Sequence, residues 1–174
     1  VSKYGEEWVR KKKLWKSIPE KNMVYEVPAD LYEGMACHRS NLEEFVKVVR
    51  ERGAIPVLLT QPIIWKPTAL AEAENDLICS CPLDARNADG SKPDAKWYHY
   101  TALNAMLEAY NEEMRIVSSN MNVPCIDLAA NVPKTAEMFY DDVHFTLKGN
   151  ALVASLVWRE LRNVFAQKSP TPGR

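Results

Sequence analysis

Apolar residues recur at helical spacing in three stretches of the chain and form unbroken runs in two others. Leu42, Phe45, Val46 and Val49 give one helix an apolar face. Ser40-Asn41-Leu42-Glu43 fits a capping box, which predicts that this helix starts at Ser40. Gly53 supplies its stop, because glycine tolerates the left-handed conformation found there. The run Ile55-Pro56-Val57-Leu58-Leu59-Thr60 follows, ended by Pro62. Its lack of alternation predicts a strand covered on both faces, as in a parallel sheet. A second helix is predicted from Trp97 to about Met121, with Leu103, Met106, Leu107, Tyr110, Met114 and Val117 as its buried stripe. Val123 to Leu128 reads as a second buried strand, closed by Asp127. Tyr140-Asp141-Asp142-Val143-His144 forms a turn, and Thr146 is the N-cap of a last helix, about Leu147 to Phe165. Leu152, Val153, Leu156, Val157, Leu161 and Val164 face inward on it.

The remaining segments carry weaker patterns. Glu6 to Ile18 reads as a short helix whose basic side is a solvated face, and Met23 to Val27 as a short strand. Pro28 to Cys37 reads as loop. Lys66 to Lys96 is a long polar connection with Pro67, Pro82, Gly90 and Pro93, the kind of segment that covers a site or forms an insertion. Lys168 to Arg174 reads as a loose tail. The order helix, strand, helix, strand, helix is α/β. Two clear strands are too few for a stable parallel sheet, whose strands normally have neighbours on both sides. An exposed sheet edge near Val57 to Thr60, or a partner covering it, is therefore expected.

Composition narrows the class without naming a function. The 174 residues are 47% hydrophobic and 26% charged, enough apolar side chain to bury a core. Lys plus Arg is 22 against 23 Asp plus Glu, a net charge of -1 that argues against a dedicated nucleic-acid binder. No apolar run is long enough for a membrane span. The chain starts at Val1, which leads us to expect a processed leader or a longer parent protein. The four cysteines, Cys37, Cys79, Cys81 and Cys125, include no C-x-x-C pair. Cys125 reads as a buried small hydrophobe. Cys79 or Cys81 has the freedom to pair with Cys37, but free thiols are the favoured reading. The cysteines therefore do not assign a compartment.

Asp141 and His144 are the chemically suggestive pair. They lie three residues apart on a turn that follows a buried strand and precedes a helix, and ligand sites in open α/β sheets lie beyond the carboxyl ends of the strands. A carboxylate beside an imidazole selects its tautomer and stabilises its protonated form. The positive end of the following helix favours the neutral ring, the form a general base needs. On spacing alone, an ordinary capping turn is the commoner source of D-x-x-H.

The context of the pair is more specific. Val123-Pro124-Cys125-Ile126-Asp127-Leu128, followed by Phe139-Tyr140-Asp141-Asp142-Val143-His144-Phe145-Thr146-Leu147-Lys148-Gly149-Asn150, resembles the C-terminal end of the SGNH hydrolases, the GDSL esterase/lipase superfamily. The segment from Asn41 through Arg52-Gly53-Ala54-Ile55-Pro56-Val57-Leu58-Leu59-Thr60-Gln61-Pro62 is similar to the family's helix and fourth strand, and Asn104 to Met121 to the helix that follows. The resemblance covers roughly Ser40 to Phe165. It implies a three-layer α/β/α fold with a parallel sheet of flavodoxin-like type. It also implies a serine hydrolase mechanism without a cofactor, in which His144 is the catalytic base and Asp141 the acid that orients it. Asp142 is left as a solvated turn residue.

The family's nucleophile sits in a Gly-Asp-Ser motif on its first strand, and this chain contains none; Asp89-Gly90-Ser91 has the wrong order. No Gly-x-Asn-Asp segment, the source of the family's oxyanion asparagine, precedes Ser40. The expectation is therefore a fold lacking its N-terminal strands. Residues 1–39 would be a connecting segment, 40–166 the C-terminal part of the domain with an insertion at 66–96, and 167–174 a flexible tail. The implied activity is hydrolysis of acyl esters, of a lipid or an acetylated carbohydrate, by the whole protein, with this chain alone inactive.

Three alternatives stay open on the residues. A non-catalytic module could bind a sugar through Trp65, Trp97, Tyr98 and Tyr100, whose simpler role is packing beneath the loop. A metal could be held by Asp141, His144 and His99 or His38, although the ligand spacing fits no known tight motif. An acyltransferase would pass the acyl group to a sugar with the same residues. Gln61, just past a strand end, is placed to face the pocket.

Overall fold

The computed structural model describes residues 18–71 and 96–168. The basic-sided helix, Cys79, Cys81, Asp89-Gly90-Ser91 and most of the 66–96 connection lie outside the described residues. A single 3-10 turn at Glu20–Asn22 leads into β1 (Met23–Val24). Then follow α1 (Leu31–Glu51), β2 (Leu58–Leu59), β3 (Trp97–Tyr98), α2 (Tyr100–Met121), β4 (Cys125–Ile126), the short α3 (Leu128–Asn131) and α4 (Leu147–Lys168). The architecture is mixed α/β, with two small parallel sheets of two strands each.

The sheet that matters for the site pairs Leu58 with Cys125 and Leu59 with Ile126. Side chains alternate across it, as the strand period requires. Leu58 packs with Val46 of α1, Val117 of α2 and Val123, and Cys125 packs against the same cluster. Ile126 points the other way and packs with Leu156 of α4, Phe139 and Met138. Leu59, its register partner, is 40% exposed, and no described residue pairs with the free edge of β2. The expected open edge is thus where the sequence placed it, but the strand is shorter than Ile55 to Thr60 and is not covered on both faces throughout.

Three expectations are corrected. The first long helix begins at Leu31, not Ser40, so Pro28 to Cys37 is largely helical and the proposed boundary at residue 39 falls inside α1. Gly34 sits in its first turn, where a Cβ would lie 2.7 Å from the Tyr110 hydroxyl, so the glycine leaves room for that side chain of α2. Trp97 and Tyr98 are not helical but form β3, paired with Met23 and Val24, and α2 starts after His99, whose Nδ1 accepts the Thr101 amide as an N-cap. The last helix runs through Lys168, so the anticipated tail at 167–174 overlaps its end; residues 169–174 lie outside the described residues. Gly53 does end the first helix region as expected, with a φ of 73°. Cys37 and Cys125 are free thiols. Among the described residues no helix is long and apolar enough to cross a membrane.

Candidate active site

The segment from Met138 to Thr146 is a miniature hairpin. Phe139 and Phe145 form an antiparallel bridge, Tyr140 N–H donates to the His144 carbonyl (3.0 Å) and Thr146 N–H to the Met138 carbonyl (2.9 Å). Phe139 is fully buried against the α4 face of the core, with the Phe145 ring 5.1 Å away. Alternation then turns the next pair, Tyr140 and His144, outward. Thr146 caps α4: its hydroxyl accepts the Gly149 amide at 3.1 Å and donates to the Glu137 carbonyl at 2.7 Å. Such a cap is worth about 1 kcal/mol, and here it also ties the helix to the turn.

Inside the hairpin, Asp141 and His144 meet as the sequence anticipated. Asp141 Oδ2 lies 2.7 Å from His144 Nδ1. Asp141 Oδ1 accepts the amides of Val143 (2.9 Å) and His144 (2.7 Å), so the carboxylate is held by the backbone of its own turn. The Asp141 side chain is 8% exposed and the His144 side chain 64%. A carboxylate only accepts hydrogen bonds, so Nδ1 carries the proton and the neutral ring presents the Nε2 lone pair away from Asp141. Among the described residues no hydroxyl or thiol is hydrogen-bonded to His144.

Asp142 departs from expectation. It is not solvated but 6% exposed, because its carbonyl accepts the Ile64 amide (3.2 Å) and the turn folds against the segment that follows β2. This bond places the Asp141–His144 pair beyond the carboxyl end of β2.

The carboxyl ends of the two strands are fastened by polar groups that periodicity did not reveal. The Thr60 hydroxyl donates to Asp127 Oδ1 (2.7 Å) and accepts the Ala129 amide (2.9 Å). Arg115 forks onto Asp127 from α2 and also reaches Glu108 and Glu112. The Arg115 guanidinium holds the Asp127 carboxyl below its usual range. Lys134 bridges the Trp65 carbonyl (2.8 Å) and Asn104 Oδ1 (2.9 Å), and burial pushes its ammonium pKa down. The Thr60 and Lys134 contacts join residues far apart in sequence, whereas Glu108 and Glu112 lie on the same helix as Arg115. An aromatic residue directly before D-x-x-H was the one local signal available for Tyr140.

The other candidates fall elsewhere. Gln61 is held by its backbone, and its side-chain amide donates to the Pro62 carbonyl (3.0 Å). Trp65 lies in the core with 7% exposure. His38 packs edge-on against Tyr110, and His99 lies between Tyr25 and Tyr100. The metal set of Asp141, His144 and His99 or His38 is not assembled, and no other group of three or more potential ligands is, among the described residues. Burial pushes the Cys125 thiol up, which does not suit a nucleophile. A cavity of about 570 Å³ beside Arg50, Pro56, Asn122 and Glu160 lies at the amino ends of the strands, away from this chemistry.

Comparisons with protein-family models, with curated proteins and with solved structures find no match.

Proposed function

We propose that this chain carries the histidine–aspartate half of a serine ester hydrolase of the SGNH/GDSL type. The observation that supports this reading best is the 2.7 Å contact between a buried, backbone-held carboxylate and an imidazole that is 64% exposed. An ordinary capping turn needs the Asp141 contacts to the backbone, but it has no use for a histidine aligned on the second oxygen. In this reading His144 Nε2 takes the proton of a serine hydroxyl as it attacks an acyl carbonyl. The imidazolium then protonates the leaving alcohol, and the cycle repeats with water. Asp141 holds the ring and offsets its transient charge.

The serine comes from outside these 174 residues, which contain no Gly-Asp-Ser. The packing of α1 and α2 on one face of the β2–β4 pair and of α4 on the other is in keeping with the three-layer α/β/α arrangement of that family. An acyl ester of a lipid or of an acetylated carbohydrate is the proposed substrate. Transfer of the acyl group to a sugar hydroxyl would use the same pair.

The test is hydrolysis of p-nitrophenyl acetate and acetylated sugars by the protein expressed with its upstream coding sequence, beside its His144→Ala variant. A loss of about 10³-fold or more in kcat is expected. Full activity in the variant, or an upstream sequence without a serine motif, refutes the proposal.

A further inference from the structure

Asp141 fixes only one edge of the His144 ring. A side chain held by a single hydrogen bond and 64% exposed can still rock about that bond. The structure supplies a second restraint. The Tyr140 ring lies against the imidazole with centroids 5.6 Å apart and planes 15° from parallel, within the range of offset stacking. The bridge between Phe139 and Phe145 makes Tyr140 and His144 cross-strand neighbours, and side chains so placed interact across the pair. Tyr140 is itself 50% exposed, so this contact is not a by-product of burial in the core.

We propose that Tyr140 is a positioning residue for His144, holding the plane of the imidazole while Asp141 holds its edge. The inference rests on the reading of His144 as a general base. The hydroxyl plays no part in this, so a phenylalanine serves equally well and an aliphatic side chain of similar bulk does not.

The other charged groups around the imidazole are common to every variant. Asp141 faces Nδ1, and Asp142 lies in the same turn. Lys148, next to this turn at the start of α4, is paired with Glu137. Differences between Tyr140 variants therefore report the stacked ring.

The experiment is a 13C relaxation measurement on the His144 ring carbons in this chain, which needs neither the nucleophile nor a substrate. Tyr140→Phe is expected to leave the ring as ordered as in the parent. Tyr140→Leu and Tyr140→Ala are expected to lower the ring order parameter. The His144 amide, which donates to Asp141 Oδ1, reports on every sample whether the turn is intact. Equal ring order in all four proteins with that amide in place overturns the inference, as does a Tyr140→Phe variant that behaves like Tyr140→Ala. In the protein that includes the serine, Tyr140→Leu is expected to lower kcat and leave KM unchanged; a rise in KM alone would make Tyr140 a substrate contact and also overturn it. Because ring order is independent of hydrolysis, an inactive protein refutes the proposed function without deciding the role of Tyr140.

Discussion

Gly149 lies so close to Met138 that a Cβ at position 149 would sit 2.2 Å from the Met138 carbonyl oxygen. That same oxygen accepts the Thr146 amide at 2.9 Å and so closes the hairpin that presents His144. The glycine is required by this close approach of the first turn of α4 to the hairpin. Gly149→Ala should push the carbonyl away from Thr146 and loosen the turn. Overpacking at such a contact costs about 1–3 kcal/mol. The expected outcome is a lower urea midpoint together with loss of the hydrogen-bonded His144 amide resonance; an unchanged midpoint would show that the helix can shift without cost.

Asn111 is expected to be the costliest polar side chain to remove from α2. It is 2% exposed, and its Oδ1 accepts the Gln61 amide (2.8 Å) while its Nδ2 donates to the Gln61 carbonyl (3.0 Å). The side chain thereby satisfies both backbone groups of Gln61, just beyond β2. Leucine is close in size but satisfies neither. With about 1–3 kcal/mol for each buried group left unpaired, Asn111→Leu should lose about 2–4 kcal/mol in equilibrium unfolding. A loss below about 1 kcal/mol would mean that water reaches Gln61 in the variant.

These two positions show what the sequence could and could not disclose. The Asp141–His144 contact was legible because it is local: three residues of turn geometry bring the side chains together. The apolar faces of α2 and α4 were legible from their spacing for the same reason, whereas on α1 Val46 is buried but Phe45 of the predicted face is 49% exposed. Asn111 and Glu113 were not, because the partners that make them buriable, Gln61 and Arg39, lie far off in the chain. The start of α1 was misplaced because Ser40-Asn41-Leu42-Glu43 has the form of a cap while Ser40 is mid-helix. The backbone bonds of the helix start earlier, with the Gly34 amide on the Asp30 carbonyl (3.2 Å), and α1 runs on through Ser40. β3 was missed because its pairing partner, Met23–Val24, lies far back in the chain, before α1 and β2.

The ionisable groups predict loss of stability toward acid in two stages. Burial lowers the proton affinity of His38 and of His99 below the usual histidine range. The unfolded chain therefore binds more protons than the folded one below about pH 6.5, and stability falls as the pH drops from there toward the folded pKa values. The second stage comes from Glu113 and Asp127, held low by the Arg39 and Arg115 guanidinium groups. Their contribution is complete above about pH 4.3 and is lost as the pH falls through the folded pKa values. His38→Phe keeps a ring against Tyr110 without a titrating group. It should flatten the stability profile between about pH 7 and 5 and leave the lower stage in place. A profile identical to that of the parent would exclude His38 from the first stage.

Asp141→Asn separates orientation from charge at the candidate site. The asparagine oxygen can still accept the Val143 and His144 amides, so the turn should persist. Its amide group then faces Nδ1 and can only donate, so Nδ1 must become the acceptor and the proton moves to Nε2. A ring with hydrogen on Nε2 cannot take a proton from a serine. In the protein that includes the nucleophile, kcat for ester hydrolysis should fall by about 10⁴-fold with little change in folding stability. The nitrogen chemical shifts of His144 should report the exchanged tautomer in this chain alone. Retained activity with the proton on Nε2 would rule out His144 as the base, because no lone pair would remain where the mechanism needs one.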